Sequence, residues 1–164
     1  MSGSSIDVII DDKAVSDYLK KLEEKIGNLH VSLADIGESL LLSHEDRWDK
    51  QVSPDGQAWL PLSALTQELK PKNKDKILVL NGYLKNLQYQ VTDKKLTLGT
   101  DKEYAAIHQF GGTIEPKKGT SLKISGKGKN VFVKSVTIPA RPFLGISHDD
   151  EDNIIGILKQ YFTD

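Results

Sequence analysis

Four histidines, at positions 30, 44, 108 and 148, are the side chains whose ordinary pKa suits proton transfer or metal binding near neutrality. None belongs to a ligand set. His44-Glu45 lacks the second histidine four residues on that would bring two imidazoles together on one helix face around zinc. His44 instead falls on the same helical face as Leu40, Leu41 and Trp48, which predicts a packed histidine. Asp149-Asp150-Glu151-Asp152 lacks the alternating carboxylates, central glycine and distal glutamate of a calcium loop. Placed in the first turn of a helix, those carboxylates complement unpaired N–H groups and the macrodipole. Gly126-Lys127-Gly128 meets neither phosphate-loop spacing, since position 121 is Ser and position 131 is Val. No Gly-x-Ser-x-Gly elbow is present, and cysteine is absent, which removes thiol catalysis, thiolate-bound zinc and disulfides. The residues thus define no catalytic, metal or cofactor-binding set, and the expectation is a protein that is not an enzyme.

One segment does carry distinctive chemistry. From Glu115 to Lys134 there are six lysines (Lys117, Lys118, Lys123, Lys127, Lys129 and Lys134) and one acid, a local charge of +5. Two readings follow. Lysines guard the edge strands of a solvated hairpin against aggregation, or a mobile basic arm meets DNA phosphates or an acidic protein without reading sequence. The first is favoured, because the only aromatic in the stretch is Phe132 and it holds no arginine. The whole chain has 22 basic and 23 acidic residues, so no global basic field draws it to nucleic acid or anionic lipid.

The elements that must position these groups follow from periodicity. Ile6, Val8 and Ile10 alternate as in a strand. Asp12 can cap a helix whose face carries Val15, Tyr18, Leu19, Leu22 and Ile26, closed by Gly27-Asn28. Ser32 with Asp35 has capping-box spacing before a stripe of Leu33, Ile36, Leu40, Leu41, His44 and Trp48. Ser53-Pro54-Asp55-Gly56 reads as a type I turn. Trp59-Leu60-Pro61-Leu62 reads as an irregular apolar arm, and Lys70 to Lys76 as a polar linker. The arm is expected to fold back on its own subunit rather than dock on a neighbour.

Asn81-Gly82 admits a hairpin loop pairing Ile77–Leu80 with Tyr83–Leu87, or a cap for a short helix bearing Leu84 and Leu87. The lack of alternation after Gly82 favours the helix. Tyr89–Val91 and Leu96–Leu98 read as a hairpin. Thr100 with Glu103 reads as the start of a short helix through Tyr104, Ile107 and His108, stopped by Gly111-Gly112. Strands are expected at 113–114, 122–124, 131–133 and 136–138, with a flexible loop over Ser125–Asn130. Ser147 with Asp150 opens a final helix through Ile154, Ile155, Leu158, Tyr161 and Phe162.

The fold class is therefore α+β: an antiparallel sheet with two N-terminal amphipathic helices, short internal helices and a C-terminal helix. A length of 164 residues suits a single domain over 1–164 with a mobile basic hairpin at about 115–134. Apolar residues at 38% and charged residues at 27% fit a folded globular chain. No basic leader precedes the first apolar run, no stretch reaches the ~18 apolar residues that span a bilayer, and no membrane association is expected. The absence of cysteine suits a reducing compartment.

Four strings in order then become recognisable. They are Asp55-Gly56-Gln57-Ala58-Trp59-Leu60-Pro61-Leu62; Leu80-Asn81-Gly82-Tyr83-Leu84; Gly99-Thr100 followed by Tyr104-Ala105-Ala106-Ile107-His108-Gln109-Phe110-Gly111-Gly112; and Ile138-Pro139-Ala140-Arg141-Pro142-Phe143-Leu144-Gly145. Together they resemble the phage virion morphogenesis family, the tail-completion proteins of Mu-like phages and prophages. The third and fourth strings are the specific ones, and Asn81 departs from the threonine expected before that glycine. The resemblance implies a structural virion protein of tail completion and head–tail joining. It implies self-association into a ring, a hexamer being one such arrangement, at the head-proximal end of the tail. It also implies tail and head–tail connector proteins as partners, and a place in the virion neck after assembly in the host cytoplasm. Within the motifs, Tyr104, Ile107 and Phe110 are expected to pack on the sheet. Pro139 and Pro142 stiffen the chain around Arg141, which should tie down carboxylate or carbonyl groups. His108 beside Gln109 reads as a hydrogen-bonding hub.

Overall fold

A computed structural model describes residues 13–23, 29–92 and 95–163. The expected first strand, Asp12, Ile26 and Gly27-Asn28 lie outside the described residues. Within them the order is α1 (Lys13–Glu23), α2 (His30–Lys50), α3 (Ala64–Leu69), β1 (Gln88–Thr92), β2 (Lys95–Gly99), α4 (Ala105–Phe110), β3 (Gly112–Ile114), β4 (Leu122–Gly126), β5 (Lys129–Val133), β6 (Val136–Ile138) and α5 (His148–Thr163). The α+β class and the antiparallel pairing are as the sequence implies. Among the described residues, however, the strands form three separate two-stranded ladders, β1–β2, β3–β6 and β4–β5, rather than one sheet.

Helix α2 organises the rest. Its 21 residues reach about 31 Å, long enough to serve two apolar clusters. At its N-terminal half Leu33, Ile36 and Leu40 pack with Val15 of α1, Leu96 and Leu98 of β2, and Ile154 and Leu158 of α5. At its C-terminal end Trp48 joins Trp59, Leu84, Ala105, Phe143 and Leu144. Gly37 makes the first of these possible. The Tyr89 ring from β1 lies so close that a Cβ at position 37 would sit 2.6 Å from it. The Tyr89 hydroxyl then donates to Glu38 at 2.8 Å.

Several local expectations are corrected. Ser32 is not the cap of α2, whose cap position is Leu29; its hydroxyl instead donates to the Leu29 carbonyl from inside the first turn. Neither reading of Asn81-Gly82 holds. Residues 77–87 form turns, with Lys85 N–H donating to the Gly82 carbonyl at 3.2 Å, and within them there is neither a helix nor a strand pair. Nor does Thr100 cap α4, which starts at Ala105 after Tyr104; the Thr100 hydroxyl accepts only a 3.4 Å contact from Lys102 N–H. Helix α3 is an addition to the elements expected from periodicity: Ser63 caps it by accepting from Thr66 N–H at 3.2 Å. The loop expected over 125–130 is a two-residue turn, because Lys127 and Gly128 both take positive φ (47° and 73°), the geometry that matches strand twist.

Candidate assembly site

The family strings converge around the second cluster. Trp59 is buried, its indole N–H donating to the Pro142 carbonyl at 2.7 Å. Its ring meets Trp48 edge-on at 5.3 Å between centroids, and Trp48 meets Phe143 at 5.1 Å. Such edge-to-face pairs add to simple burial. The arm after Gly56 does fold back on its own subunit. Leu60 and Pro61 are themselves exposed, but their carbonyls are fixed by Arg141, whose Nε donates to Leu60 O at 2.7 Å and whose terminal nitrogen donates to Pro61 O at 2.8 Å. Arg141 is buried and meets carbonyls, one of the two partner types expected of it. Burial lowers its pKa from the ordinary arginine value.

Gln109 is the hub of this region. Its Oε1 accepts from the Phe143 and Leu144 N–H groups at 2.9 and 3.0 Å, and its Nε2 donates to Leu144 O at 2.9 Å. His108 contributes its backbone carbonyl, which accepts from Arg141 N–H at 2.7 Å. Its half-buried ring is held below the usual histidine pKa by burial first and by the Arg141 charge second. Gly111 completes the join. Its φ is +71°, and a Cβ there would stand 2.6 Å from Ala140 N, so α4 lies against the 139–145 strap only because the side chain is missing. Ala105 and Leu84 are buried beneath, Gly82 sits in the turn above Leu84, Gly99 ends β2, Gly112 starts β3, and Pro139 and Gly145 bracket the strap.

Two expected packing residues face outward instead. Tyr104 is 45% and Phe110 70% exposed. The short α4 turns only one side to the core, through Ala105, and leaves both rings in water.

A second polar group, missed by motif reasoning, ties α2 to α5 through Arg47. Arg47 meets Asp150 at 2.6 Å with both side chains buried, and it also donates to Ser43 Oγ at 2.7 Å and to Gly145 O at 3.0 Å. Its signal lies in the sequence, because Arg47 continues the buried stripe through Leu40 and His44. Asp150 closes the expected capping box: Ser147 N–H donates to its carboxylate at 2.8 Å while Asp150 N–H donates to Ser147 Oγ at 3.1 Å. Burial opposes ionisation of Asp150, but hydrogen bonds from Ser147, Ser43 and Arg47 outweigh it and hold the pKa below the usual carboxylate value. His44 is the packed histidine its spacing predicts. Its Nδ1–H donates to Leu40 O at 2.7 Å, and burial, then the Arg47 charge, lowers its pKa to about 4. No group of three or more His, Asp or Glu that could hold a metal occurs among the described residues.

The basic residues of 115–134 lie elsewhere. Lys117 and Lys118 occupy the loop before β4, Lys123 is on β4, Lys127 in the turn, Lys129 on β5 and Lys134 just after it, all exposed. The hairpin tip rests on α3, with Gly126 against Leu69 O and Lys129 paired with Glu68 at 2.7 Å.

The site therefore immobilises backbone: arginine, glutamine and tryptophan are spent on carbonyls and amides of the exposed arm at 60–61 and of the strap at 142–144, with its buried Phe143 and Leu144. The chain belongs to the phage virion morphogenesis family, whose model matches residues 10–163. Among relatives, it is 29% identical over 96 residues to Mu-like prophage FluMu G protein 2 of Haemophilus influenzae, covering 58% of each chain. It is 26% identical over 127 residues to the putative capsid assembly protein G of Escherichia phage Mu, covering 74% of this chain and 72% of the relative. The match to the Haemophilus protein thus spans less than two thirds of that relative's length. No solved structure matches the chain. No described helix is long and apolar enough to cross a membrane.

Proposed function

We propose that this protein acts in tail completion and stable head–tail joining, as a ring of identical copies at the head-proximal end of the tail. It would assemble in the host cytoplasm and end in the neck of the virion. The observation that carries the reading is the outward aromatic pair on a braced element. Phe110 and Tyr104 are exposed at the ends of α4, while Gln109 and Arg141 lock that helix to the strap behind it. Aromatic side chains held rigid on a surface anchor protein interfaces at low entropic cost. A ring is built by heterologous contacts, in which this patch meets a different patch on the next copy. Tail and connector proteins are the partners this role requires, and no cofactor enters it.

Electron microscopy of tails assembled with and without the protein tests the reading. Tails that end irregularly and fail to join heads without it, and that are restored by wild type but not by Phe110→Ser, support it. Normal joining in its absence overturns it.

A further inference from the structure

The linker and the basic hairpin, separate in sequence, come together in space. Lys70 is spent internally: its ammonium donates to the carbonyls of Asn73, Lys76 and Val79 at 2.6, 2.6 and 2.7 Å, which shapes residues 70–80 into a compact loop. That loop leaves Lys72, Lys74 and Lys76 exposed. The hairpin tip then docks beside it through Gly126 on Leu69 O and Lys129 on Glu68, and the Lys74 side chain meets that of Lys127. That contact, together with the Lys127 charge, lowers the pKa of Lys74 from its ordinary value.

Residues 68–76 and 115–134 hold ten lysines against three acids, a charge of +7, while the rest of the chain holds twelve basic against twenty acidic residues, −8. A chain with no net field thus carries a strongly cationic pole. Within it the Lys74 and Lys127 side chains meet at the hairpin tip, and Glu68, the carboxylate that acts on Lys74, is already bonded to Lys129. An anionic oxygen placed between the two ammonium groups would relieve them.

We infer that the Lys74–Lys127 pair is a phosphate clamp, the centre of a site through which the subunit holds the backbone of double-stranded DNA without reading its sequence. Lysine suits this use, since an ammonium is a point charge that accepts any phosphate geometry, whereas the arginine fork favours fixed bidentate partners. The exposed lysines 72 and 76 of the loop and 123 and 129 of the hairpin belong to the two segments that meet at this tip. The residues of the assembly site take no part, so the site stands whether or not copies form a ring.

The test is fluorescence anisotropy of a labelled 20-base-pair duplex of mixed sequence with the intact protein, at several salt concentrations. Wild type is expected to bind, with log K falling linearly in log salt and with affinity unchanged for a second duplex of unrelated sequence. Lys74→Gln/Lys127→Gln should weaken binding by about tenfold or more at low salt and reduce the salt slope by about 2, one for each phosphate left unneutralised. Lys20→Gln/Lys21→Gln, on α1, should leave both unchanged. Circular dichroism confirms that each variant is folded. Absence of binding by wild type at 50 mM salt, or equal losses in the two variants, overturns the proposal. So does competition by polyglutamate as effective as by unlabelled DNA, which would assign the pole to an acidic protein surface.

Discussion

His44 shows how one side chain couples the fold to pH. Its pKa near 4 in the folded chain lies below the ordinary 6.5, because burial and the Arg47 charge disfavour the imidazolium. Between those values the unfolded chain binds the extra proton and the folded chain does not, so stability rises with pH across that window. The contribution is fully present above about 6.5 and is lost as pH falls toward 4, amounting to about 3 kcal/mol. His108, lowered by burial and by Arg141, adds to the same slope. His148 has the opposite sign: its hydrogen bond to Glu151 raises its pKa, and what it contributes is lost as pH rises through that value. Asp150, with a lowered pKa, acts only in the carboxylate range, its contribution vanishing as pH falls through its folded value. Thermal melts from pH 7 to 4.5 should therefore show a falling midpoint, and His44→Gln, whose amide can still donate to Leu40 O, should flatten most of that slope. A His44→Gln profile parallel to wild type would show that the imidazole is not the group responsible. The same residue marks what is readable from spacing. Its place on the stripe through Leu40 and Trp48 says that it packs, but the charge it packs beside comes from Arg47, whose partner Asp150 lies 103 residues away.

At the scale of elements, the arm after the 53–56 turn is the strongest link between the family strings. Trp59 packs edge-on against Trp48, which in turn meets Phe143, and its N–H holds the strap at Pro142. Trp59→Ala removes a buried ring and one partner of a buried hydrogen bond, so the isolated subunit should lose roughly 3–5 kcal/mol, read as a lowered melting midpoint at a concentration where it is monomeric. An unchanged midpoint would mean that the arm is held only within an assembly. Elements with strong local signals are legible in the sequence. The stripe of α2, the β1–β2 hairpin and the Ser147–Asp150 box all rest on short-range periodicity or capping chemistry. Those that differ from expectation depend on distant partners. The turns at 77–87 are held where they are by contacts such as Lys70 with Val79 O and Gln51 with Ile77 N–H, which no local pattern encodes. Helix α4 is only six residues long, too short for periodicity to say that Phe110 and the preceding Tyr104 face outward. The convergence of the family strings is likewise invisible locally, since Gln109 and Arg141 act on backbone groups 34 to 81 residues away.

At the scale of the whole molecule, two cores share α2, and the β4–β5 ladder belongs to neither. Its strands are half-buried at best, and its tip is tied to the rest by the exposed Lys129–Glu68 pair, the Gly126 contact with α3 and the Lys74–Lys127 contact. An exposed ion pair of that kind contributes little and is screened by salt. The hairpin should therefore open independently of the cores, as weakly anchored units do. Glycine and lysine content by itself points to first cleavage by trypsin near Lys127 or Lys129. The tight turn and the α3 contact protect those two bonds in the closed form, so cutting there requires the hairpin to open, whereas Lys117 and Lys118 lie in a loop without strand pairing. Limited digestion should thus nick first between Lys117 and Lys134, and faster at higher salt as the Lys129–Glu68 pair weakens. The two halves should stay together afterwards. The nick separates α2 from α5 only covalently, while the Arg47–Asp150 pair, the Trp59–Pro142 hydrogen bond and the Gln109 and Arg141 contacts all cross it. Size-exclusion chromatography of the nicked protein should give one peak at the intact volume, with a melting transition close to that of the uncut chain. First cleavage within α1 at Lys20 or Lys21, or dissociation of the halves on nicking, would mean that the hairpin is integral to the fold after all.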